Sequence, residues 1–209
     1  AANAPKVTQE ERKKQAYKVA NQRPKTEAET RFLIDEQLRM VGWEADTENI
    51  RYSKGVRPTK GRKLAIAEYP TNSTVGNRGY ADYALFIDEK LVGIIEAKTI
   101  HKDIPSVIDY QGKDYPRCIR EEDEKYVIGK WGDFKVPFTF ATNGRPYLEQ
   151  YKTKSGIWFL DLRKPDNSPM ALLGWMSPVG MEELLAADVD SRNKELKEMP
   201  YDLLTDKDG

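Results

Sequence analysis

The 209-residue sequence predicts an α/β fold with a central mixed β-sheet flanked by helices. Two observations support this class. Helix-like and strand-like segments follow one another in the order helix, three strands, helix and further strands, which is typical of a layered α/β domain. Residues 79–98, GYADYALFIDEKLVGIIEAK, read as two paired strands joined by a polar turn. The sheet should therefore contain a central hairpin.

The first helix is predicted after Pro24. Thr26 is a suitable N-cap, Glu29 completes a capping box three residues later, and Gly42 is a natural C-cap. The apolar face between these ends consists of Phe32, Leu33, Leu38 and Val41, with Ile34 and Gln37 in register.

The remaining elements follow from short apolar runs between turn residues. A strand is predicted at 63–69, ahead of the two strands of 79–98. Pro105 opens a helix that runs to about Tyr115, where Pro116 ends it. Further strands are predicted at 126–128, 136–142 and 157–162, and residues 181–185 are predicted to start a C-terminal helix.

Composition excludes several kinds of protein. Charged residues make up 33% of the chain and no apolar run approaches membrane-spanning length, so we expect a polar-surfaced globule with no membrane partner. The single cysteine, Cys118, excludes an internal disulfide and fits the cytoplasm. The single histidine, His101, excludes the usual zinc sites. No glycine-rich phosphate loop is present.

The central hairpin carries the candidate catalytic residues. Side chains alternate along a strand, so Glu96 and Lys98 point the same way. Pairing through the turn would bring Asp82 of the first strand near Glu96. Two carboxylates and an ammonium on one side of a sheet are what metal-assisted phosphodiester hydrolysis needs. An amphipathic hairpin with solvated charges is the alternative interpretation.

Net charge is zero, but its distribution is uneven. Residues 51–63 hold six basic residues and no acid, whereas residues 181–209 hold nine acids and four bases. The basic segment is either a solvated loop or a source of phosphate contacts near the site. Its candidate DNA-binding residues are Lys54, Arg57, Lys60, Arg62 and Lys63.

In this order and spacing, six segments resemble the PD-(D/E)xK nuclease superfamily, and within it the N-terminal nuclease domain of the type I restriction endonuclease R (motor) subunit. They are TEAETRFLIDEQLRMVGW at 26–43, GYADYALF at 79–86, IIEAK at 94–98, DYQGKDYP at 109–116, PFTFATNG at 137–144 and WMSP at 175–178. The resemblance covers residues 26–185. It leaves 1–25 as an N-terminal extension and 186–209 as an acidic linker.

The resemblance implies roles for particular residues. Asp82 and Glu96 would be metal-binding carboxylates, the Ala97 carbonyl a further ligand, and Lys98 the catalytic lysine. Ala81 stands where many members of the superfamily have proline, which shapes the strand and binds no metal.

Further site residues are implied outside the hairpin. Gln111 and Tyr115 match a Gln-x-x-x-Tyr motif of this branch and lie on one helical face, with a surface glutamine beside a packing tyrosine as the alternative. Glu29 resembles the first-helix acid that completes such sites, with Glu27 as the other choice.

The function implied is a Mg²⁺-dependent endonuclease domain that cuts double-stranded DNA within a larger restriction enzyme. An ATP-driven motor, with its ATP bound outside this chain, would follow in the same polypeptide. Methylase and specificity subunits would choose the DNA site. Two alternatives stay open: a stand-alone repair nuclease or junction resolvase, and an inactive nuclease-like docking module.

Overall fold

A computed structural model of the chain describes residues 27–74, 79–99 and 104–187, together with residues 8, 10, 11 and 102. The side chains at 27, 110 and 111 lie outside this description. Several predictions therefore concern parts of the chain that are not described. These are the 1–25 extension, the Thr26 cap, the side chains of Glu27 and Gln111, His101, and the acidic end beyond residue 187.

A seven-stranded mixed sheet forms the centre of the described chain, as predicted. The strands lie in the sheet in the order in which they occur in the sequence. Their bounds are β1 Glu44–Ala45, β2 Lys63–Pro70, β3 Tyr80–Ile87, β4 Lys90–Ala97, β5 Phe138–Thr142, β6 Ile157–Asp161 and β7 Met170–Ala171.

Strand direction changes along the sheet. The pairs β1–β2 and β4–β5 are parallel, and the other four pairs are antiparallel. Because β4 and β5 are parallel, the chain must cross over between them, and a helix lies in that connection. The C-terminal ends of β4 and β5 consequently lie side by side, with Ala97 opposite Thr142.

The described ranges contain three α-helices: α1 Glu27–Met40, α2 Pro105–Asp114 and α3 Pro178–Ala186. Helix α1 contacts β1 and β4, and α2 packs on β4, β5 and β6. The chain divides into two compact units, 1–178 and 179–209, and most of α3 lies in the second. None of the described helices has the length and apolar character needed to cross a membrane.

Helix α1 ends as predicted, but its buried face differs in one residue. Gly42 has a φ of +99°, and the N–H of Trp43 donates to the Leu38 carbonyl at 3.1 Å, which closes the helix. Leu33, Ile34, Leu38 and Val41 are buried. The prediction for Phe32 was wrong, since its side chain is 49% exposed.

Short elements account for the other errors. Residues 126–128 form no sheet strand, because a 3₁₀ helix covers Glu121–Tyr126 and Val127 makes only an isolated bridge to Leu91. The two-residue strands β1 and β7 were missed. Strand β5 starts at Phe138, two residues later than predicted.

The sheet centre is apolar and tightly packed around the hairpin of β3 and β4. Phe86 packs between Tyr69 and Tyr126, with ring centroids 5.3 and 5.7 Å away. All residues of β4 after Lys90 are buried, and so is every residue of β3 after Tyr80. Polar side chains within these two strands are therefore held in a rigid, largely water-free setting.

Candidate active site

The register of the central hairpin brings Asp82 and Glu96 together. Tyr83 pairs with Ile95 and Ala84 with Ile94, so the next position in the same ladder sets Asp82 opposite Glu96. Both carboxylates are almost inaccessible, at 4% exposed for Asp82 and 0% for Glu96. The juxtaposition expected from the sequence is present.

A β-bulge determines this pairing. Near the turn, Phe86 pairs with Leu91, whereas Leu85 pairs with Gly93, so Val92 is an extra residue on β4. Without this shift, the register of the turn would set Asp82 opposite Ile95. The bulge therefore aligns the two acids.

Asp82 is held by two donors. Its Oδ2 accepts from the backbone N–H of Ala97 at 2.7 Å, and its Oδ1 accepts from Arg31 Nη2 at 2.7 Å. Burial nevertheless raises the pKa of Asp82, with the positive charge of Arg31 as the main opposing influence. The side chain is fixed in one orientation, with a lone pair left on each oxygen.

Glu96 is held on one side only. Lys98 Nζ donates to Glu96 Oε1, which confirms that the two side chains share a face. Glu96 Oε2 is buried and has no hydrogen-bond partner among the described residues. The Asp82 carboxyl lies within hydrogen-bonding reach of the Glu96 side chain, and such a bond forms only when one of the two acids is protonated.

Burial, and then the negative charge of Asp82, raise the pKa of Glu96 to about 7. A buried, ionised carboxylate pair is costly unless a cation neutralises it. Strongly perturbed carboxyl groups of this kind are typical of functional sites.

The donor set fits a hard divalent cation. Carboxylate oxygens are the ligands that Mg²⁺ prefers, and the unpartnered Oε2 of Glu96 is an orphaned acceptor of the right type. In the described ranges, no third acidic, histidine or cysteine side chain completes a metal cluster with these two. The remaining coordination positions of the cation would be filled by a carbonyl such as that of Ala97, by water and by phosphate.

Two residues that the sequence did not single out belong to this site. Ala67 pairs with Tyr83 and Tyr69 pairs with Ala81, so Glu68 of β2 lies opposite Asp82 on the other side of β3. Arg31, from α1, donates to both acids, at 3.1 Å to Glu68 Oε1 and 2.7 Å to Asp82 Oδ1. Arg51 forms an ion pair with the other oxygen of Glu68.

The other predicted site residues lie on α1, on α2 and in the turn that follows α2. Glu29 is exposed on α1. Gln111 lies within α2, and its side chain is outside the described part. Tyr115 follows the helix in a 3₁₀ turn and is fully buried in the apolar cluster that contains Ile119. A catalytic role for these residues stays a prediction.

The basic segment is not gathered at the carboxylates. Arg51 lies beside β2 near the site, but the chain then runs toward the opposite end of the hairpin, where the Asp88 N–H donates to the Arg62 carbonyl at 2.9 Å. Asp88 is six residues beyond Asp82, or roughly 20 Å along the strand. Of the five candidate DNA-binding residues, Lys54, Arg57, Lys60 and Arg62 are exposed and Lys63 is half-buried.

The turn after β5 joins three parts of the fold. Asn143 Nδ2 donates to the Lys102 carbonyl at 2.8 Å, and the Lys98 N–H donates to the Thr142 carbonyl at 2.7 Å. Gln37 Nε2 of α1 donates to the Gly144 carbonyl at 3.2 Å. These bonds fix the backbone on which Lys98 lies.

Comparison with known proteins shows the family of the chain. Residues 44–185 match the family described as the second domain of the type I restriction enzyme EcoKI endonuclease subunit. That description numbers the domain second, whereas the sequence resemblance was to an N-terminal nuclease domain.

One curated relative is the type I restriction enzyme EcoKI endonuclease subunit of Escherichia coli strain K12. It is 36% identical over 225 aligned positions, which cover 93% of this chain and 19% of the relative. The chain thus spans about a fifth of the relative's length. No solved structure matches. The chain belongs to the family of type I restriction endonuclease subunits of the EcoKI kind.

Proposed function

We propose that this chain is the Mg²⁺-dependent endonuclease domain of a type I restriction subunit, with a PD-(D/E)xK active site that cleaves double-stranded DNA. The buried pairing of Asp82 with Glu96 supports this proposal, because Glu96 Oε2 has no donor among the described residues and Lys98 lies beside it. A simple structural salt bridge would not leave such an oxygen buried and unpartnered.

Each residue has a defined task in phosphodiester hydrolysis. When bound, a divalent cation supplies Lewis-acid polarisation of a phosphate oxygen and a more acidic water. Asp82, Glu96 and the Ala97 carbonyl would hold it. The Lys98 ammonium, kept in place by Glu96, stabilises the negative charge that develops on the phosphate.

The other residues that the resemblance implies would assist. Gln111 and Tyr115 would contribute from α2 and the turn that follows it, as the Gln-x-x-x-Tyr motif implies. Glu29 adds an acid from α1. The basic residues Lys54, Arg57, Lys60, Arg62 and Lys63 contact DNA phosphates away from the reacting bond.

The whole enzyme extends beyond this chain. We propose that cleavage follows translocation of DNA by an ATP-driven motor in the rest of the subunit, where ATP binds. Methylase and specificity subunits would choose the site, and the chain itself would read no sequence. The cytoplasm is the expected location.

Isosteric neutralisation of the acids tests the proposal. Asp82→Asn or Glu96→Gln, introduced into a full-length subunit, should reduce DNA cleavage by about 10²-fold or more while ATP hydrolysis continues. Glu89→Gln in the exposed hairpin turn is the matched control and should cleave normally.

Lys98→Ala should lose cleavage yet still bind Mn²⁺ in calorimetry, because an ammonium is not a metal ligand.

Other outcomes would favour other functions. Normal cleavage by either acid variant would refute the metal site. A folded wild-type chain that bound no divalent cation, with or without DNA, would indicate a docking module. Rapid cutting by the 209-residue chain alone would indicate a stand-alone nuclease.

A further inference from the structure

One guanidinium connects two acids on neighbouring strands. Arg31 Nη2 lies 2.7 Å from Asp82 Oδ1, and Nη1 lies 3.1 Å from Glu68 Oε1. The register sets Glu68 directly across from Asp82, so a single side chain from α1 reaches both. Arg31 is 16% exposed, and these bonds form largely out of water.

The backbone of Glu68 has an unusual conformation for a residue within a strand. Its φ is +47°, in the left-handed region that non-glycine residues seldom adopt, although ordinary ladder pairs flank it at Ala67 and Tyr69. Such conformations concentrate at functional sites. Its second carboxylate oxygen pairs with Arg51, so Glu68 stays anchored whether or not Arg31 remains on it.

Charge is already balanced at this end of the sheet. The acids Asp82, Glu96 and Glu68 are each paired with a basic side chain, from Arg31, Lys98 and Arg51. A cation approaching Asp82 therefore meets the positive charge of Arg31, and repulsion is strong where water is excluded. Arg31 Nε is buried without an acceptor among the described residues, so the guanidinium is incompletely held.

We propose that Arg31 is a positioning residue that forms an ion pair with Asp82 in the metal-free chain and so competes with the divalent cation. When the cation binds Asp82, Glu68 keeps its ion pair with Arg31. The inference rests on the proposed metal site. The proposal has a specific consequence for metal affinity. Removing Arg31 strengthens metal binding. Neutralising Glu68 leaves Asp82 as the sole acid held by Arg31, so the competition is stronger and metal binding is weaker.

Calorimetric titration of the 209-residue chain with Mn²⁺ and Mg²⁺ tests this. Arg31→Gln should bind about tenfold more tightly than the unchanged chain, and Glu68→Gln roughly fivefold more weakly. Arg31→Lys, which keeps the charge, should bind like the unchanged chain. In the double variant Arg31→Gln/Glu68→Gln the effect of Glu68→Gln should disappear, because no guanidinium is left to redirect.

Arg39→Gln on the same helix and Glu89→Gln in the hairpin turn are the matched controls, and both should bind metal normally. Weaker metal binding by Arg31→Gln would contradict the proposed competition. Equal changes in metal affinity, in the same direction, for both single variants would contradict it too. If Arg31→Gln fails to fold by circular dichroism, Glu68→Gln alone decides, and unchanged binding there overturns it. Normal binding by Asp82→Asn would instead refute the metal site itself.

Discussion

At the scale of single residues, the fold holds acids in places where water cannot reach them. Asp35 of α1 is the clearest case outside the candidate active site. Its Oδ2 accepts from the Thr47 N–H at 2.6 Å, and its Oδ1 lies 2.9 Å from the Tyr83 hydroxyl. Since Tyr83 is the neighbour of Asp82 in β3, this bond helps to fix the strand on which the candidate metal ligand lies.

Asp35 should make stability depend on pH. Burial raises its pKa above the ordinary aspartate value of about 4, while Thr47, Tyr83 and Arg39 oppose the shift and Asp46 adds to it. The folded chain then binds more protons than the unfolded chain, so the free energy of unfolding falls as pH rises through that raised pKa.

Asp35→Asn removes this titration. Its amide oxygen still accepts from Thr47, and its NH₂ donates to the Tyr83 oxygen. The difference in unfolding free energy between variant and unchanged chain should therefore grow in the variant's favour as pH rises above about 4. Urea unfolding at stepped pH measures it, and parallel curves would contradict the expectation.

At the scale of elements, the hairpin of β3 and β4 depends on its turn and its bulge. Asp88 opens the turn with a φ of +56°, and its Oδ1 accepts from the Gly61 N–H at 2.6 Å. This contact joins the end of the basic segment to the hairpin. The bulge at Val92 then corrects the register before the strands reach the two acids.

Asp88 should therefore be replaceable by asparagine but not by alanine. Asp88→Ala loses the bond to Gly61 and keeps a side chain in a left-handed conformation, and it should destabilise the chain by about 1–2 kcal/mol. Asp88→Asn keeps both the acceptor and the tolerance for positive φ, so it should change stability by less than about 0.5 kcal/mol. Denaturant midpoints compare them, with Glu89→Ala as the control. Equal losses for the first two variants would show that the charge of Asp88, and not its acceptor or its tolerance of positive φ, stabilises the turn.

How much the sequence predicts depends on how local the interaction is. Strand alternation is local, so the shared face of Glu96 and Lys98 was predictable. The roles of Arg31 and Glu68 depend on the β2–β3 register and on how α1 docks, and both are set by contacts between distant parts of the chain. Residues 126–128 were assigned as a strand from three apolar-rich positions, but the preceding 3₁₀ helix leaves them no partner beyond one bridge.

At the scale of the whole molecule, zero net charge limits what the chain can do with DNA alone. The concentrated positive charge of 51–63 is partly used within the protein. Arg62 forms an ion pair with Glu44, and the Arg57 guanidinium lies 3.5 Å above the Tyr52 ring. Part of the positive charge of this segment is therefore already engaged within the protein and is less available to phosphates.

The isolated chain should consequently bind duplex DNA weakly, with Kd around 10⁻⁴–10⁻⁶ M at physiological salt, and without sequence preference. Changing Lys54, Arg57, Lys60, Arg62 and Lys63 to serine should weaken binding by a similar factor on every duplex tested, and should flatten its salt dependence. Fluorescence anisotropy at several salt concentrations measures both. Tight, sequence-selective binding by these 209 residues would contradict the modular view of the enzyme.

Helix α1 has a consequence for how such domains are exchanged between enzymes. The family match begins at residue 44, yet Arg31 and the buried residues Leu33, Ile34 and Leu38 precede it. A segment transplanted at that boundary would carry Asp82, Glu96 and Lys98 but would leave an apolar surface bare and two acids without their shared guanidinium. Recombination between restriction subunits should therefore keep the first helix with its own sheet, and crossover points should fall before residue 27.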